Sequence, residues 1–248
     1  MQQFRPGGFT MLPMVVKNLL IINGLFFLAM YALVSTANIN LVDYLGLHYP
    51  GSHNFGIWQL VTYMFMHGGM MHIAFNMFAL WMFGNTLENA WGPKRFLNYY
   101  LVTGIGAGII HLIVTLLRIQ AILPDMGTEQ ISMVYSEGFA VLDKGLNYQD
   151  PLMAKLNLLL NTPTVGASGA VFGLLLAFGM MFPNSVIYVY FAFPIKAKYF
   201  VMIYGAIEIY SGFANNPGDN VAHFAHLGGM IFGYFMIMYW KKKGTLYS

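Results

Sequence analysis

Four polar side chains in an otherwise apolar chain have the types and spacing for acyl transfer. Ser168 lies in Thr164-Val-Gly-Ala-Ser-Gly-Ala-Val-Phe-Gly173. A serine in an apolar helix usually bonds a carbonyl one turn back and does nothing more. Here Pro163 and Gly166 free the backbone just ahead of it, and Gly169 lets another chain approach. Ser168 would then begin a helix, where unpaired N–H groups can hold a negative oxygen. This is not the G-x-S-x-G elbow of soluble hydrolases, because the second glycine follows the serine directly. His226 sits in Ala225-His-Leu-Gly-Gly-Met-Ile-Phe-Gly233, where Gly229 and Gly233 form a GxxxG face; Gly169 and Gly173 form another. Such faces allow close helix packing. Packing the two together would bring Ser168 level with His226. A serine hydroxyl is a weak nucleophile until an adjacent base takes its proton. His72 and Asn76, four apart, share one helix face, although such a pair is also common interhelical glue.

These side chains must be positioned by membrane helices. The 248 residues are 58% hydrophobic and only 8% charged, against about 25% charged in a typical soluble domain. So few charges cannot cover a water-facing surface, which excludes a soluble enzyme or a nucleic-acid binder. The chain has no cysteine, so a disulfide framework, a thiolate metal site and a cysteine nucleophile are excluded. A bilayer core takes about 20 mostly apolar residues per helix. Six stretches qualify: 17–36, 70–90, 96–117, 166–183, 198–212 and 221–240. The expected fold is an all-α membrane protein, a single domain over 1–248. The first stretch is longer than a signal-peptide core of about 7–15 residues and reads as a retained span. The fifth is preceded by apolar Val186–Ile195, which Pro194 interrupts. No internal repeat is evident.

The charges set the orientation. With both termini inside, the inner segments hold Arg5, Lys17, Lys94, Arg95, Lys196, Lys198 and Lys241 to Lys243, nine of the twelve basic residues. Only Arg118, Lys144 and Lys155 fall outside. The positive-inside rule therefore places both termini in the cytoplasm. Asp43, Asp125, Glu129, Glu137, Asp143, Asp150 and Asp219 all fall outside. The second, fourth and sixth stretches then run inward, and His72, Ser168 and His226 share one level near the outer surface. Two outer segments are unusual. Asn38–Gly69 ends too apolar for a free loop and is expected to lie partly in the membrane, with Trp58 and Tyr63 as interfacial anchors. The insert 119–165 is partly polar, and Pro151–Leu160 is apolar enough to rest on the membrane. It could cover the mouth of the site or be a passive excursion.

His72-Ile-Ala-Phe-Asn76, Gly166-Ala-Ser-Gly169 and Ala225-His226-x-x-Gly229-x-x-x-Gly233 occur in that order on six spans. Together they resemble the rhomboid intramembrane serine proteases over about Trp58–Tyr239. The resemblance implies a bacterial-type six-helix rhomboid-like bundle, with a long partly embedded loop between its first two helices. It implies Ser168 as nucleophile and His226 as general base. His72, Asn76 and the Ser168 N–H would form the oxyanion hole. Phe172 would pack its ring on the histidine, and Gly166, Gly169, Gly229 and Gly233 would support the site. Glu88, in Gly84-x-x-x-Glu88-x-x-x-Gly92, would be structural. The family uses a dyad without an acidic third member, and no buried aspartate suits that role. Trp58-Gln59 stands where many bacterial members have Trp-Arg, which puts the loop's lipid-phosphate contact in doubt. The implied partners are the lipid bilayer and single-span membrane-protein substrates with helix-destabilising residues near the cut. In relatives the fifth helix is the suggested gate.

Other histidines compete for these roles. His223 lacks the glycine spacing that His226 has and reads as a neighbouring polar contact. His67 reads as a hydrogen-bonder holding its loop; His111 and Glu208 read as structural. A metal site from His72, His223 and His226 would need a carboxylate, and none is evident; no metal or cofactor is expected. The rival functions are a catalytically silent client-binding relative, which would lack the serine or the histidine, and a small-solute transporter. A transporter would spread its polar residues across the membrane, whereas these cluster at one level. The expected location is a multi-pass position in a bacterial inner membrane.

Overall fold

The computed structural model describes residues 10–189, 192–214 and 222–246. Arg5, Asp219 and Val221, used above for orientation and for the sixth stretch, lie outside the described residues. The apolar stretches fold as α1 (Met14–Ala37), α4 (Met70–Trp91), α5 (Pro93–Ile122), α8 (Ser168–Met181), α9 (Ala197–Ala214) and α10 (His223–Lys242). The result is a helical membrane bundle. Two of its helices, Met14–Ala37 and Pro93–Asp125 with its terminal 3₁₀ turn, are long and apolar enough to cross a membrane, each with a mean hydropathy of 2.0. The 14 residues of α8 rise only about 21 Å at 1.5 Å each. Its non-helical flanks must therefore cover part of the apolar thickness.

At the centre, α10 packs on α5 and α8, with α4 and α1 on one flank and α9 on the other. Leu80, Leu87, Phe96, Tyr99, Tyr100, Ala170, Leu174 and Ala177 have no exposed surface. The central approach is set by glycine. A Cβ added at Gly229 would lie 1.8 Å from the Gly169 carbonyl oxygen, so α8 and α10 meet backbone to backbone. The second glycine pair does not meet in the same way. Gly173 and Gly233 instead receive Thr103 and Tyr99 of α5, and the Tyr99 hydroxyl donates to the Gly173 carbonyl at 2.9 Å. Larger α5 side chains thus fill the space where the faces diverge.

The segment between α1 and α4 carries α2 (Leu41–Leu45), α3 (Gln59–Thr62) and a 3₁₀ turn, Tyr63–Phe65. It is stitched to the bundle. Leu47 and Thr164 exchange two backbone hydrogen bonds at 2.9 Å. Gln59 is fully buried. It accepts from His48 N–H at 3.1 Å and donates to the carbonyls of Tyr44 at 3.2 Å and Asn54 at 2.7 Å. A neutral amide here holds the loop from within. Trp58 is 57% exposed and suits an interfacial position, but Tyr63 is 1% exposed. The expectation that Tyr63 anchors at the interface is therefore corrected: its hydroxyl turns inward and donates to the Gly104 carbonyl at 2.7 Å.

The insert folds as α6 (Thr128–Asp143) and α7 (Pro151–Asn161), after a 3₁₀ turn at Leu123–Asp125. The Asp150 carboxylate caps α7, accepting from Leu152 and Met153 N–H, both at 2.9 Å. Met153, Leu156 and Leu160 turn toward Val134 and the end of α5, forming a second apolar cluster. The buried side of Pro151–Leu160 thus packs on protein rather than resting on lipid. Before α9, β1 (Val186–Val189) pairs antiparallel with β2 (Phe193–Lys196), placing Pro194 opposite Tyr188. A two-stranded ribbon has only edges, so it tolerates a proline that cannot donate.

Candidate active site

Residues 163–168 set the entrance to α8. The Leu47–Thr164 bridge and the bond from Gly166 N–H to the Tyr63 carbonyl at 2.9 Å fix this strand-like lead. Gly166 has φ +123°, a region other residues rarely enter, and this turns the chain into α8. Ser168 takes the first helical position, after the Ala167 cap. The N–H groups of a first helical turn have no partner within the helix, so those at the start of α8 are donors close to Ser168 in the chain.

The structure brings Ser168 and His226 together. Ser168 Oγ lies 2.8 Å from His226 Nε2. His226 is 7% exposed, while Ser168 is half-buried. Phe172, one turn after Ser168, stacks on the His226 ring with centroids 4.1 Å apart and planes 6° apart. Face-to-face contact of this kind fixes the plane of the imidazole while leaving both nitrogens free to bond.

His72 lies on the opposite wall. A Cβ at Gly166 would meet His72 Nε2 at 2.7 Å and Ser168 Oγ at 3.6 Å. The absent side chain of Gly166 thus lets the His72 ring pack against the Gly166 backbone, beside Ser168 Oγ. His72 Nδ1 accepts from Gly68 N–H at 3.2 Å, which leaves Nε2 as the protonated nitrogen of a neutral ring, a donor beside Gly166. Asn76 is buried, and its amide donates to the His72 carbonyl at 2.8 Å. His67 is 1% exposed and packs edge-on to His72 at 5.1 Å. Its ring nitrogens are buried beside the Phe65 backbone, so His67 holds the loop from within. Burial, with the neighbouring His72 charge second, pushes its pKa down to about 4.

Sequence reasoning missed one member of this cluster. Glu208, on α9, is 6% exposed. Its Oε2 accepts from His226 Nδ1 at 2.9 Å and from His223 Nδ1 at 2.6 Å. His223 is the neighbouring polar contact expected of it, whereas the readings that Glu208 is only structural and that no carboxylate stands near these histidines are corrected. An intramembrane carboxylate is a site candidate by default, and that was the available signal. The donor atoms of Glu208, His223 and His226 lie within 4.8 Å of one another. Direct N–H···O bonds already satisfy the carboxylate and both Nδ1 atoms. The end of α9 is tied to α5, where Arg118 donates to the Gly212 carbonyl at 3.0 Å. His111 sits apart, bonded through Nε2 to Thr164 Oγ1 at 2.7 Å, where it supports the lead into α8.

Glu88 belongs elsewhere. Its two carboxylate oxygens accept from Val15 N–H at 2.9 Å and Val16 N–H at 2.8 Å. These are first-turn donors of α1, which an acidic group satisfies both by bonding and by the helix dipole.

Residues 54–243 match the Rhomboid domain family. "Rhomboid protease GluP" of Bacillus subtilis (strain 168) is 28% identical over 185 residues, covering 72% of this chain and 25% of that protein. "RHOMBOID-like protein 12, mitochondrial" of Arabidopsis thaliana is 27% identical over 173 residues, covering 68% and 42%. "Rhomboid protein 1, mitochondrial" of Saccharomyces cerevisiae is 25% identical over 175 residues, covering 71% and 39%. The matched region thus spans less than half the length of each of these relatives.

Proposed function

The chain belongs to the rhomboid family, and from that premise we propose that it is an active intramembrane serine endopeptidase. The observation that carries this reading is the 2.8 Å contact between Ser168 Oγ and His226 Nε2. Ser168 is the nucleophile and His226 the general base. As Ser168 Oγ bonds to the scissile carbonyl carbon, its proton passes to His226 Nε2. The carbonyl electrons move onto oxygen, which sits against His72 Nε2–H and the first N–H groups of α8. Asn76 donates one amide N–H to the His72 carbonyl and offers the other to the same oxyanion. Loss of one oxyanion donor costs about 10²–10³ in rate. His226 then protonates the leaving amine, and water entering from the outer side hydrolyses the acyl-enzyme.

The substrates are single-span membrane proteins cut near the outer end of their span. A stable helix hides its carbonyls, so a backbone that unwinds readily is preferred. The domain comprises 1–248, with six crossings and both termini on the cytoplasmic side of a bacterial inner membrane. The excess of basic residues on that side supports the orientation.

The test is cleavage of a single-span substrate by the purified protein in detergent. Wild type should cut it, whereas Ser168→Ala and His226→Ala should not. Undiminished cleavage by Ser168→Ala would overturn the assignment. Activity kept in His226→Ala but lost in His223→Ala would move the base to His223.

A further inference from the structure

Deep burial of a carboxylate in an apolar bundle costs several kcal/mol unless its charge is answered. Glu208 is answered almost entirely by imidazole nitrogens. Its Oε2 reaches His226 Nδ1 at 2.9 Å and His223 Nδ1 at 2.6 Å. An ionised carboxylate only accepts hydrogen bonds. Each bond therefore requires a proton on Nδ1 of the ring it holds. For His226 this settles the tautomer of the neutral ring: Nδ1 carries the proton, and Nε2 is the bare nitrogen facing Ser168 Oγ at 2.8 Å. The reverse tautomer would set a lone pair against the carboxylate and leave no acceptor for the serine proton.

We propose that Glu208 is a positioning residue for the Ser168–His226 pair, making it a Ser–His–Glu constellation assembled from α8, α10 and α9. This deepens the reading given above and rests on it. Glu208 holds the His226 ring from one side while Phe172 holds its plane by stacking. When Ser168 Oγ bonds to the substrate carbon, its proton goes to His226 Nε2 and the ring becomes an imidazolium. The Nδ1 proton stays on His226, and Glu208 stays ionised as its counter-charge. When the amine leaves, it takes the proton from Nε2 and the ring returns to neutral. No proton reaches Glu208 at any step.

Among the described residues, the titratable groups named around His226 are on α4, α5, α9 and α10; α8 contributes none. His72 on α4 and His111 on α5 both lie close enough to feel its charge. Glu208 is on α9, and His223 lies one turn earlier on α10, its ring 6.3 Å from that of His226. Glu208 is the acidic member of this group. The other three are histidines, and any charge they carried would oppose an imidazolium at His226. The placement on α9 has a further consequence. Any displacement of α9 away from α10 would part Glu208 from both rings, so its bond to His226 depends on the α9–α10 contact.

The test compares kcat, KM and melting temperature of the full chain in detergent across a pH series, with a single-span substrate. Glu208→Gln should lower kcat by up to about 10⁴, the loss seen when the acid of a serine triad becomes an amide. KM and melting temperature should hold. The acid limb of the kcat/KM profile should move to lower pH, because an imidazolium loses its counter-charge. Glu208→Asp should restore part of the lost kcat. Wild-type kcat and an unmoved acid limb in Glu208→Gln would overturn the proposal, as would equal losses in the Gln and Asp variants. If neither variant folds, ¹⁵N-histidine NMR of the unsubstituted protein decides, with the His226 signal assigned by its loss in His226→Ala. At about pH 8, protonated Nδ1 and bare Nε2 are expected; the opposite tautomer would overturn the proposal. Ser168→Ala separates the two levels. If it is inactive while Glu208→Gln is unaffected, only this inference fails. If it cleaves, the underlying reading fails.

Discussion

Among the described residues, Glu88 and Glu208 are the buried carboxylates, 4% and 6% exposed, and their partners differ in kind. Glu88 sits sixteen residues after His72 on α4, about 24 Å along the helix. It accepts from two backbone N–H groups of α1. Those donors are fixed by secondary structure and cannot change protonation. Glu208 accepts from two imidazoles, whose protons can move. The same side chain, equally buried, locks two helices together in one place and addresses the proposed Ser168–His226 pair in the other. Burial alone therefore does not distinguish a structural carboxylate from one tied to chemistry; the partner's capacity to titrate does.

The widest disturbance is expected from Gly229→Leu. A Cβ there meets the Gly169 carbonyl oxygen at 1.8 Å, so α8 and α10 must separate. Overpacking of this kind costs on the order of 3 kcal/mol. Cleavage should disappear and the melting temperature should fall, because the residue holds the Ser168–His226–Glu208 level together. Preserved activity would show that the glycine contact does not set the site.

Glu88→Ala should separate the two carboxylates most clearly. It strands the Val15 and Val16 N–H groups, at about 1–3 kcal/mol for each unsatisfied donor. The melting temperature should fall while kcat, measured well below the transition, stays at the wild-type value. Glu208→Gln should do the reverse. If both variants lose melting temperature and keep kcat, the distinction between the two carboxylates collapses. A smaller effect is expected from Phe172→Leu. An aromatic stack contributes about 0.5–1.5 kcal/mol beyond burial, so kcat should fall about 2- to 10-fold with little change in KM.

The last effect concerns His67 and is confined to acid pH. Burial, then the nearby His72 charge, holds its pKa at about 4, against about 6.5 in an unfolded chain. Its contribution to stability is present above about pH 6.5 and is lost as pH falls toward about 4, because only the unfolded chain takes up the proton in that window. The acid-side fall in melting temperature should be shallower in His67→Phe than in wild type. Identical slopes would mean the ring is not buried as described.

Much of the site could be read from the sequence because its signals are local. Gly166 just ahead of Ser168, the glycines after His226 and the four-residue spacing of His72 and Asn76 each lie within one short segment. The helices were legible for the same reason: runs of apolar residues bounded by Gly92-Pro93, Pro163 or Lys241 to Lys243. Glu208 was not legible as a site member, because its bond depends on how α9 is rotated and raised against α10. No spacing within α9 encodes that register. The inward turn of Tyr63, and the insertion of Tyr99 and Thr103 between the second glycine pair, depend likewise on α5. Composition marked the loop and the helices as apolar without saying which neighbour each side chain would face. The short β-ribbon before α9 escaped detection because Pro194 argues against a strand unless both strands are edges.

The central claim is that Ser168 is an activated nucleophile within the bundle. It is tested most directly by intact mass and peptide mapping after treating the detergent-solubilised protein with a fluorophosphonate. Attack by Ser168 Oγ on phosphorus expels fluoride and leaves one phosphonyl group on that oxygen. A single adduct on Ser168 is predicted in wild type, with none in Ser168→Ala or in His226→Ala. No adduct in wild type, or an adduct on Ser168 that persists unchanged in His226→Ala, would contradict it.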